Sequence, residues 1–209
     1  MSVVRIRNAS DLARGAAALV ACEPRFGPVL DHVGTLPLRL RPDGFATLLN
    51  AIVSQQVSTA SAAAIWARME ASGLTTPKAL AAADDAALRA AGLSRPKQRY
   101  ARALAEADLD YDALRDTTPD HVVAQLTALP GIGVWTAEIY AKFALGHADV
   151  FAAGDLALQE ATRILFDLPD RPSEKALRVQ AEAWSPWRAV AARALWAFYR
   201  IEKGREGIK

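Results

Sequence analysis

Two chemical features stand out between residues 117 and 159. Gly131 and Gly133 lie one residue apart in LPGIGVWTA, a short turn with helical sequence on both sides. Such a turn lets backbone N–H groups point outward, and the following helix adds the positive end of its dipole. Further along, the segment DVFAAGD brings the carboxylate of Asp155 into a loop. The turn therefore predicts that backbone amides bind a nucleic-acid phosphate whatever the base sequence. Asp155 is the candidate for chemistry on the sugar of a nearby nucleotide.

Each feature also has a purely structural interpretation. Two glycines can simply permit a tight corner between helices. Asp155 can cap the helix predicted for LALQEATRILF, a role that is compatible with catalysis because it would hold the carboxylate in place. Asp149 is a second acid in the same loop, and we expect it to hold the loop rather than to react.

Two helices are expected to flank the glycine turn. Thr118 supplies a capping hydroxyl and Pro119 pre-sets φ, which predicts the start of the first helix. We expect that helix to stop at Pro130 and Gly131. A second helix, ended by Gly146, is indicated by an apolar stripe with i, i+4 spacing, formed by Trp135, Ile139 and Phe143.

Composition restricts the class of protein. Hydrophobic residues make up 52 % of the 209 residues, alanine is abundant, and no strand pattern stands out, so we predict an all-α fold. The net charge is only +2, so DNA affinity must come from a local basic patch. One cysteine excludes an intramolecular disulfide and an all-cysteine iron–sulfur cluster. Three scattered histidines offer few ligands for a zinc site. We see no signal peptide and no membrane-span-length apolar run, and expect a cytoplasmic protein.

The first half of the chain has three recognisable parts. Residues from about Ser10 to Ala21 are predicted helical, with Ser10 or Asp11 as the cap. The breaker-rich passage from Pro24 to Gly44 is either a link between lobes or a plain surface loop. In FATLLNAIVSQQVSTASAAAIWARM, uncharged polar residues interrupt an apolar helix. Polar side chains at such a break usually cap helices, but they can also fill the gap left when a base is extruded from DNA.

A cluster of cations follows the helix that we expect between Thr76 and Gly92. Ser94 is predicted to cap the next helix, whose first turns carry Arg95, Lys97, Arg99 and Arg102. Cations near a helix N-terminus oppose the dipole, so something other than local stability favours them there. The cluster is either a DNA-facing patch or a solvated helix face.

In this order, five segments resemble the alkylbase DNA glycosylases of the DNA-3-methyladenine glycosylase II type, within the helix-hairpin-helix glycosylase superfamily. The segments are FATLLNAIVSQQVS, GLSRPKQRYA, LPGIGVWTA, DVFAAGDLALQ and WSPWRAVAARALW, and the resemblance runs from about Ala21 to Trp196. It implies two helical lobes with an active-site cleft between them. We assign residues 1–42 and 147–209 to a terminal lobe and 43–146 to a central lobe, with the helix-hairpin-helix element at about 118–145. Some members carry an extra N-terminal β-rich domain, and we expect this chain to be too short for it.

The resemblance also implies roles for individual residues. Asp155 matches the catalytic aspartate, and Gln56 matches the residue that wedges into DNA. Trp135 and Trp196 match walls of the base pocket, with core packing as the alternative, and Ile139 stands where the family can have a tyrosine. Many relatives have a second acid where this chain has Gly154, so we expect the charge and stiffness of the loop to differ. The expected DNA-binding residues are Gln55, Gln56, Lys97, Gly131, Ile132, Gly133 and Thr136.

Trp135 stands where bifunctional relatives carry a catalytic lysine. Without that amine no Schiff base forms there, so we expect base removal without strand cleavage. The cysteine cluster of endonuclease III-type members has no counterpart either. The resemblance implies no catalytic metal or cofactor, although a structural monovalent cation can sit on the backbone between Leu129 and Gly133.

The predicted function is hydrolysis of the N-glycosidic bond of alkylated purines after base flipping. The expected partner is double-stranded DNA containing alkylated bases, with no membrane, and the protein is expected to be a monomer of bacterial type associated with the nucleoid. Two alternatives stay open: a glycosylase for other damaged bases, and a non-enzymatic helix-hairpin-helix DNA-binding protein. A helical scaffold without salt-dependent DNA affinity is a third.

Overall fold

Helices and their connections make up the chain. A computed structural model describes residues 3–204, and no strand occurs among them beyond an isolated bridge between Arg5 and His147. The helices of this part are α1 (Ala9–Cys22), α2 (Phe26–Val33), α3 (Phe45–Val53), α4 (Thr59–Ala71), α5 (Pro77–Ala82), α6 (Asp85–Ala91), α7 (Arg95–Glu106), α8 (Tyr111–Asp116), α9 (Pro119–Thr127), α10 (Val134–Phe143), α11 (Leu156–Leu165), α12 (Glu174–Ala181) and α13 (Arg188–Lys203). A short 3₁₀ turn, Glu182–Trp184, precedes α13. The all-α prediction is confirmed.

The chain divides into two compact units, Arg41–Tyr140 and the two chain ends, up to Leu40 and from Ala141 onward. The central unit holds α3 to α9 and the first part of α10. Within it, α7 packs against α3, α5 and α6, while α4 packs against α3 and α6. The predicted lobe bounds of 1–42 with 147–209, and 43–146, stay a prediction, and residues 1–2 and 205–209 of the terminal lobe lie outside the described residues.

The terminal unit is organised around α13, which packs against α1, α2 and α11. Trp184 is buried at its centre, in edge contact with Phe26 and Phe151, with ring centroids 5.4 Å apart in both pairs. Trp187 is also buried. The start of the chain joins the same unit through the amide of Ile6, which donates to Gly146 O at 2.7 Å.

Two predicted caps are present. The Thr118 hydroxyl accepts from His121 N, and the Thr76 hydroxyl accepts from Ala79 N. Ser94 occupies the N-cap position of α7, but its side chain makes no capping bond. The cap of α1 is Asn8 rather than Ser10 or Asp11, because the Asn8 amide oxygen reaches Asp11 N at 2.9 Å. The helix boundaries around the glycine turn also lie earlier than expected, at Thr127 and Phe143.

Two segments differ from the sequence prediction in kind. The breaker-rich passage contains a helix, α2, because Pro28 lies in its first turn, where a missing N–H costs no helical bond. The single helix expected between Thr76 and Gly92 is two, α5 and α6. Asp84 separates them by accepting from Ala87 N at 2.7 Å and starting a new helix.

The helices are too short or too polar for a lipid bilayer. None of those within residues 3–204 has the length and apolar composition needed to cross a membrane.

Candidate functional site

The glycine turn joins α9 to α10 and is fixed by packing. Gly131 has φ of +87°, a region that favours glycine. A Cβ at this position would lie 2.3 Å from the ring of Tyr100, so the turn rests directly on that side chain. Gly133 differs, because a Cβ there would meet no atom within 4 Å. Gly131 is therefore required by the fold, whereas the protein leaves open space around Gly133.

Six of the seven predicted DNA-binding residues line one groove of the central unit. The groove has a volume of about 580 Å³. Ser94, Pro96 and Tyr100 complete a wall made up of Gln55, Gln56, Lys97, Gly131, Ile132 and Gly133. The seventh predicted residue, Thr136, is half-buried in the first turn of α10 and does not line this groove. The structure therefore brings the polar break after α3 and the glycine turn together, although they are far apart in sequence.

The two glutamines of this groove do different things. Gln55 Nε2 donates to Gly131 O at 2.7 Å and so ties the segment after α3 to the glycine turn. Gln56 is exposed and has φ of +54°, an uncommon conformation for a residue other than glycine. Ser58, in the same break, caps α4 by accepting from Ser61 N at 3.2 Å. The capping interpretation therefore holds for Ser58, while Gln56 is exposed in the turn between α3 and α4.

Replacing Gln55 by alanine is expected to lower the free energy of unfolding by about 1 kcal/mol, because a partly buried side-chain hydrogen bond is lost. We also expect faster amide hydrogen exchange in the segment 128–133, whose carbonyl at Gly131 loses its partner. Chemical denaturation and exchange mass spectrometry measure the two effects. Gln56→Ala is the matched control, and equal changes in both variants would show that Gln55 does not hold the turn.

Lys97 forms a structural hydrogen bond in addition to lining the groove. Its ammonium group donates to Val53 O at 2.7 Å, at the C-terminus of α3. Burial lowers the pKa of Lys97 below its usual value. This lysine therefore fastens α7 to α3 on the side that faces the groove.

Asp155 is placed by the start of α11. Its Oδ1 accepts from Ala157 N at 2.9 Å and from Leu158 N at 3.2 Å, and the residue is 9 % exposed. The capping role is confirmed, and capping fixes the orientation of the carboxylate. The preceding loop is fastened by Gln159, a buried side chain whose Nε2 donates to Ala153 O at 2.9 Å.

Asp149 holds the other end of that loop, as expected. Its carboxylate accepts from Ser185 Oγ at 2.8 Å and from Arg188 Nε at 2.5 Å. Gly154 has a carboxylate beside it, because a Cβ there would lie 3.1 Å from Glu174 Oε2. Glu174 is ion-paired with Arg178 at 3.0 Å. A second negative charge therefore lies beside the backbone of this loop, contributed by α12.

Trp196 belongs to a buried array of rings and cations in the terminal unit. It is 3 % exposed, stacks on Phe143 with centroids 5.8 Å apart, and has Lys142 Nζ 4.4 Å from its ring centroid. Arg193 lies over the other ring, 4.7 Å from the centroid of Phe143. Burial, with a smaller effect of Arg39, lowers the pKa of Arg193 to about 10, so it stays charged at neutral pH. The indole Nε1 of Trp196 is buried without a hydrogen-bond acceptor among the described residues.

The other predicted wall residues lie on α10. Trp135, in its first turn, is 42 % exposed, and Ile139 is buried. Tyr140 is buried as well, and its hydroxyl oxygen accepts from Gly44 N at 2.9 Å. This tyrosine therefore has a structural role, as its position on a different helical face suggests.

Comparison with known proteins decides the family. The family model of HhH-GPD superfamily base excision DNA repair proteins matches residues 49–188, which include the groove, the glycine turn and Asp155. The chain belongs to the HhH-GPD superfamily. It is a base excision repair DNA glycosylase of that superfamily.

Individual proteins are similar to this one over most of the chain. A DNA-3-methyladenine glycosidase from Bacillus halodurans is 31 % identical with a TM-score of 0.85, over 99 % of this chain and 96 % of that one. The 3-methyladenine DNA glycosylase of Schizosaccharomyces pombe, solved in complex with abasic DNA, is 26 % identical with a TM-score of 0.73, over 94 % of this chain and 100 % of that one. The DNA-3-methyladenine glycosylase 1 of the same yeast is 28 % identical over 75 % of this chain and 72 % of its own length.

Three residues beside the glycine turn or the Asp155 loop have roles that the sequence does not indicate. Tyr100 supports Gly131, Gln159 fastens the Asp155 loop, and Glu174 lies beside Gly154. Tyr100 and Gln159 fall within the segments that carry the family resemblance, but nothing local to either residue indicates its partner. For Glu174 the sequence indicates only a favourable charge at the start of its own helix.

Proposed function

We propose that this HhH-GPD glycosylase hydrolyses the N-glycosidic bond of alkylated purines of the 3-methyladenine and 7-methylguanine type in duplex DNA, and leaves the strand intact. The observation that carries the proposal is the Asp155 carboxylate, which is largely buried and held at the start of α11 by two backbone amides. The names of the similar proteins support the alkylated-base class.

Alkylation at N3 or N7 makes the purine cationic, so the leaving base needs little help from an acid. The enzyme must then stabilise an oxocarbenium-like sugar and supply water. One carboxylate serves both needs, through electrostatic attraction toward C1′ and by accepting a proton from the attacking water. Asp155 is our candidate because burial strengthens its field and capping removes its freedom to turn away.

We assign binding of the DNA sugar–phosphate backbone to the groove of the central unit. The glycine turn would present backbone amides to a phosphate without reading sequence, and Gln56 would fill the gap left by the extruded base. The exposure and positive φ of Gln56 support this role, because an exposed residue outside a helix can enter the stack without unfolding a helix.

Recognition of the cationic base is assigned to Trp135 and Ile139 of α10, and the role of Trp196 as a pocket wall stays a prediction. Indole rings attract a cation through the ring quadrupole and stack on a flat base. The large exposed fraction of Trp135 supports its role, since tryptophan side chains are highly buried on average. Ile139 supplies an apolar side chain where an aromatic one would add further stacking.

We also propose a structural monovalent cation on the backbone between Leu129 and Gly133. The carbonyl of Leu129 accepts from Ile132 N at 3.2 Å and that of Gly131 accepts from Gln55, so each oxygen keeps a second lone pair for an ion. Such an ion would add positive charge beside the glycine turn.

The test is incubation of the protein with DNA methylated at N3 and N7 of purines, followed by chromatography of the freed bases. We expect release of methylated purines and abasic strands that break only after alkali. Duplexes with deaminated and oxidised bases, run in parallel, should release much less. Tight binding without any base release would overturn the proposal.

Absence of strand cleavage is checked in the same reactions. We expect no nicked strand before alkali and no covalent adduct after borohydride, because Trp135 offers no amine for a Schiff base. A trapped adduct would contradict the monofunctional assignment.

A further inference from the structure

A second concave surface of the central unit is unusually basic. It has a volume of about 440 Å³ and lies between α6 and α7. We call it the arginine pocket. Its lining consists of Asp85, Arg89, Arg95, Pro96, Gln98, Arg99 and Arg102. Four guanidinium groups therefore surround one concavity that has a single carboxylate.

Most of this positive charge is not neutralised within the described residues. Arg102 pairs with Asp85 at 2.8 Å, and that carboxylate is itself largely exposed. Arg89, Arg95 and Arg99 are exposed and form no ion pair with a described residue. Arg95 and Arg99 also lie in the first half of α7, where cations oppose the helix dipole. An anion in the pocket would relieve both unfavourable effects.

The arginine pocket adjoins the groove that holds the glycine turn. Pro96 lines both, at the first turn of α7. Ser94, Lys97 and Tyr100 project to the groove side of α7, while Arg95, Gln98 and Arg99 project to the pocket side. A ligand that occupies the groove and continues past Pro96 would meet the arginines next.

We propose that the arginine pocket binds backbone phosphates of duplex DNA flanking the lesion, as a continuation of the groove. Guanidinium groups suit phosphate because their planar fork donates two parallel hydrogen bonds. A local cluster also supplies the affinity that a net charge of +2 cannot. The inference rests on the proposed function for the ligand class, DNA, but not on which base is released.

The test compares binding of two charge variants to duplexes that carry an uncleavable abasic-site analogue. One variant combines Arg89→Gln, Arg95→Gln and Arg99→Gln. The control combines Lys78→Gln, Lys175→Gln and Arg200→Gln, three exposed cations outside both concavities, and removes the same total charge. Thermal denaturation checks that both triple variants are folded. If the arginine variant is not folded, the single variant Arg99→Gln replaces it.

Duplex length supplies the second comparison. Flanks are lengthened on one side of the analogue at a time, from about 10 to about 25 base pairs in total, and affinity is measured as a function of salt. On the duplex whose flank reaches the pocket, the arginine variant should bind at least tenfold more weakly than wild type. For this variant, the slope of log affinity against log salt concentration should be smaller in magnitude by about two to three. Each phosphate that is no longer neutralised accounts for roughly 0.9 of that slope. The short duplex should not distinguish arginine variant, control and wild type.

An equal loss of affinity in the control and arginine variants would overturn the inference. The inference would also be overturned if the arginine variant bound the long duplex as tightly as wild type does. Base release by saturating enzyme on a duplex of the same short length, methylated at N3 and N7 of purines instead of carrying the analogue, keeps the two proposals separate. If wild type releases no base while the length-dependent loss is present, the proposed function fails and the arginine pocket stands.

Discussion

Asp155→Asn is expected to retain binding to lesion DNA and to release the base at least about a thousandfold more slowly, which corresponds to ~4 kcal/mol of barrier. Asparagine keeps an oxygen that can accept from Ala157 N and Leu158 N, so α11 should start at the same residue and stability should change little. What disappears is the negative charge that stabilises the sugar and the base that accepts the proton of water. Single-turnover release of methylated purines measures the rate.

Asp149→Asn is the matched control, since it makes the same chemical change in the same loop. Asp149 accepts from Ser185 and Arg188, so its replacement should lower the melting temperature. The release rate per folded molecule should stay within a few-fold of wild type. Near-normal release by the Asp155 variant, or an equal loss in both, would remove Asp155 from the mechanism.

The second large effect concerns the two glycines of the turn, whose surroundings in the structure differ. Gly131→Ala combines a φ of +87° with a Cβ 2.3 Å from the ring of Tyr100. We expect the free energy of unfolding to fall by about 2–4 kcal/mol, and DNA affinity to fall with it. Denaturant titration measures the first effect and fluorescence anisotropy the second.

Gly133→Ala should behave differently because its Cβ meets no protein atom within 4 Å. Stability should stay within about 0.5 kcal/mol of wild type. If the backbone at Gly133 approaches a phosphate, the added methyl group obstructs that approach, and affinity should fall at least tenfold for lesion and undamaged duplexes alike. A loss confined to lesion DNA would show that the turn does not bind the backbone, and unchanged affinity would show that no phosphate approaches Gly133.

Local signals in the sequence were sufficient for much of the fold. Capping hydroxyls at Thr76 and Thr118 correctly indicated helix starts, because a cap acts on amides two or three positions away. The same locality explains the errors. Asn8 and Asp84 also cap helices, and each competed with neighbours of the same chemical type that the sequence could not rank.

The sequence by itself determined the all-α class, the helix–glycine turn–helix order and the placement of Asp155 at a helix start. These features depend on backbone preferences and on interactions within a few residues. Tertiary structure alone decided that Gln55 bonds to Gly131, that Tyr100 supports the turn, and that arginines of α6 and α7 surround one pocket. Those interactions join residues far apart in the chain or on separate helices, and only packing of the helices determines which side chains meet.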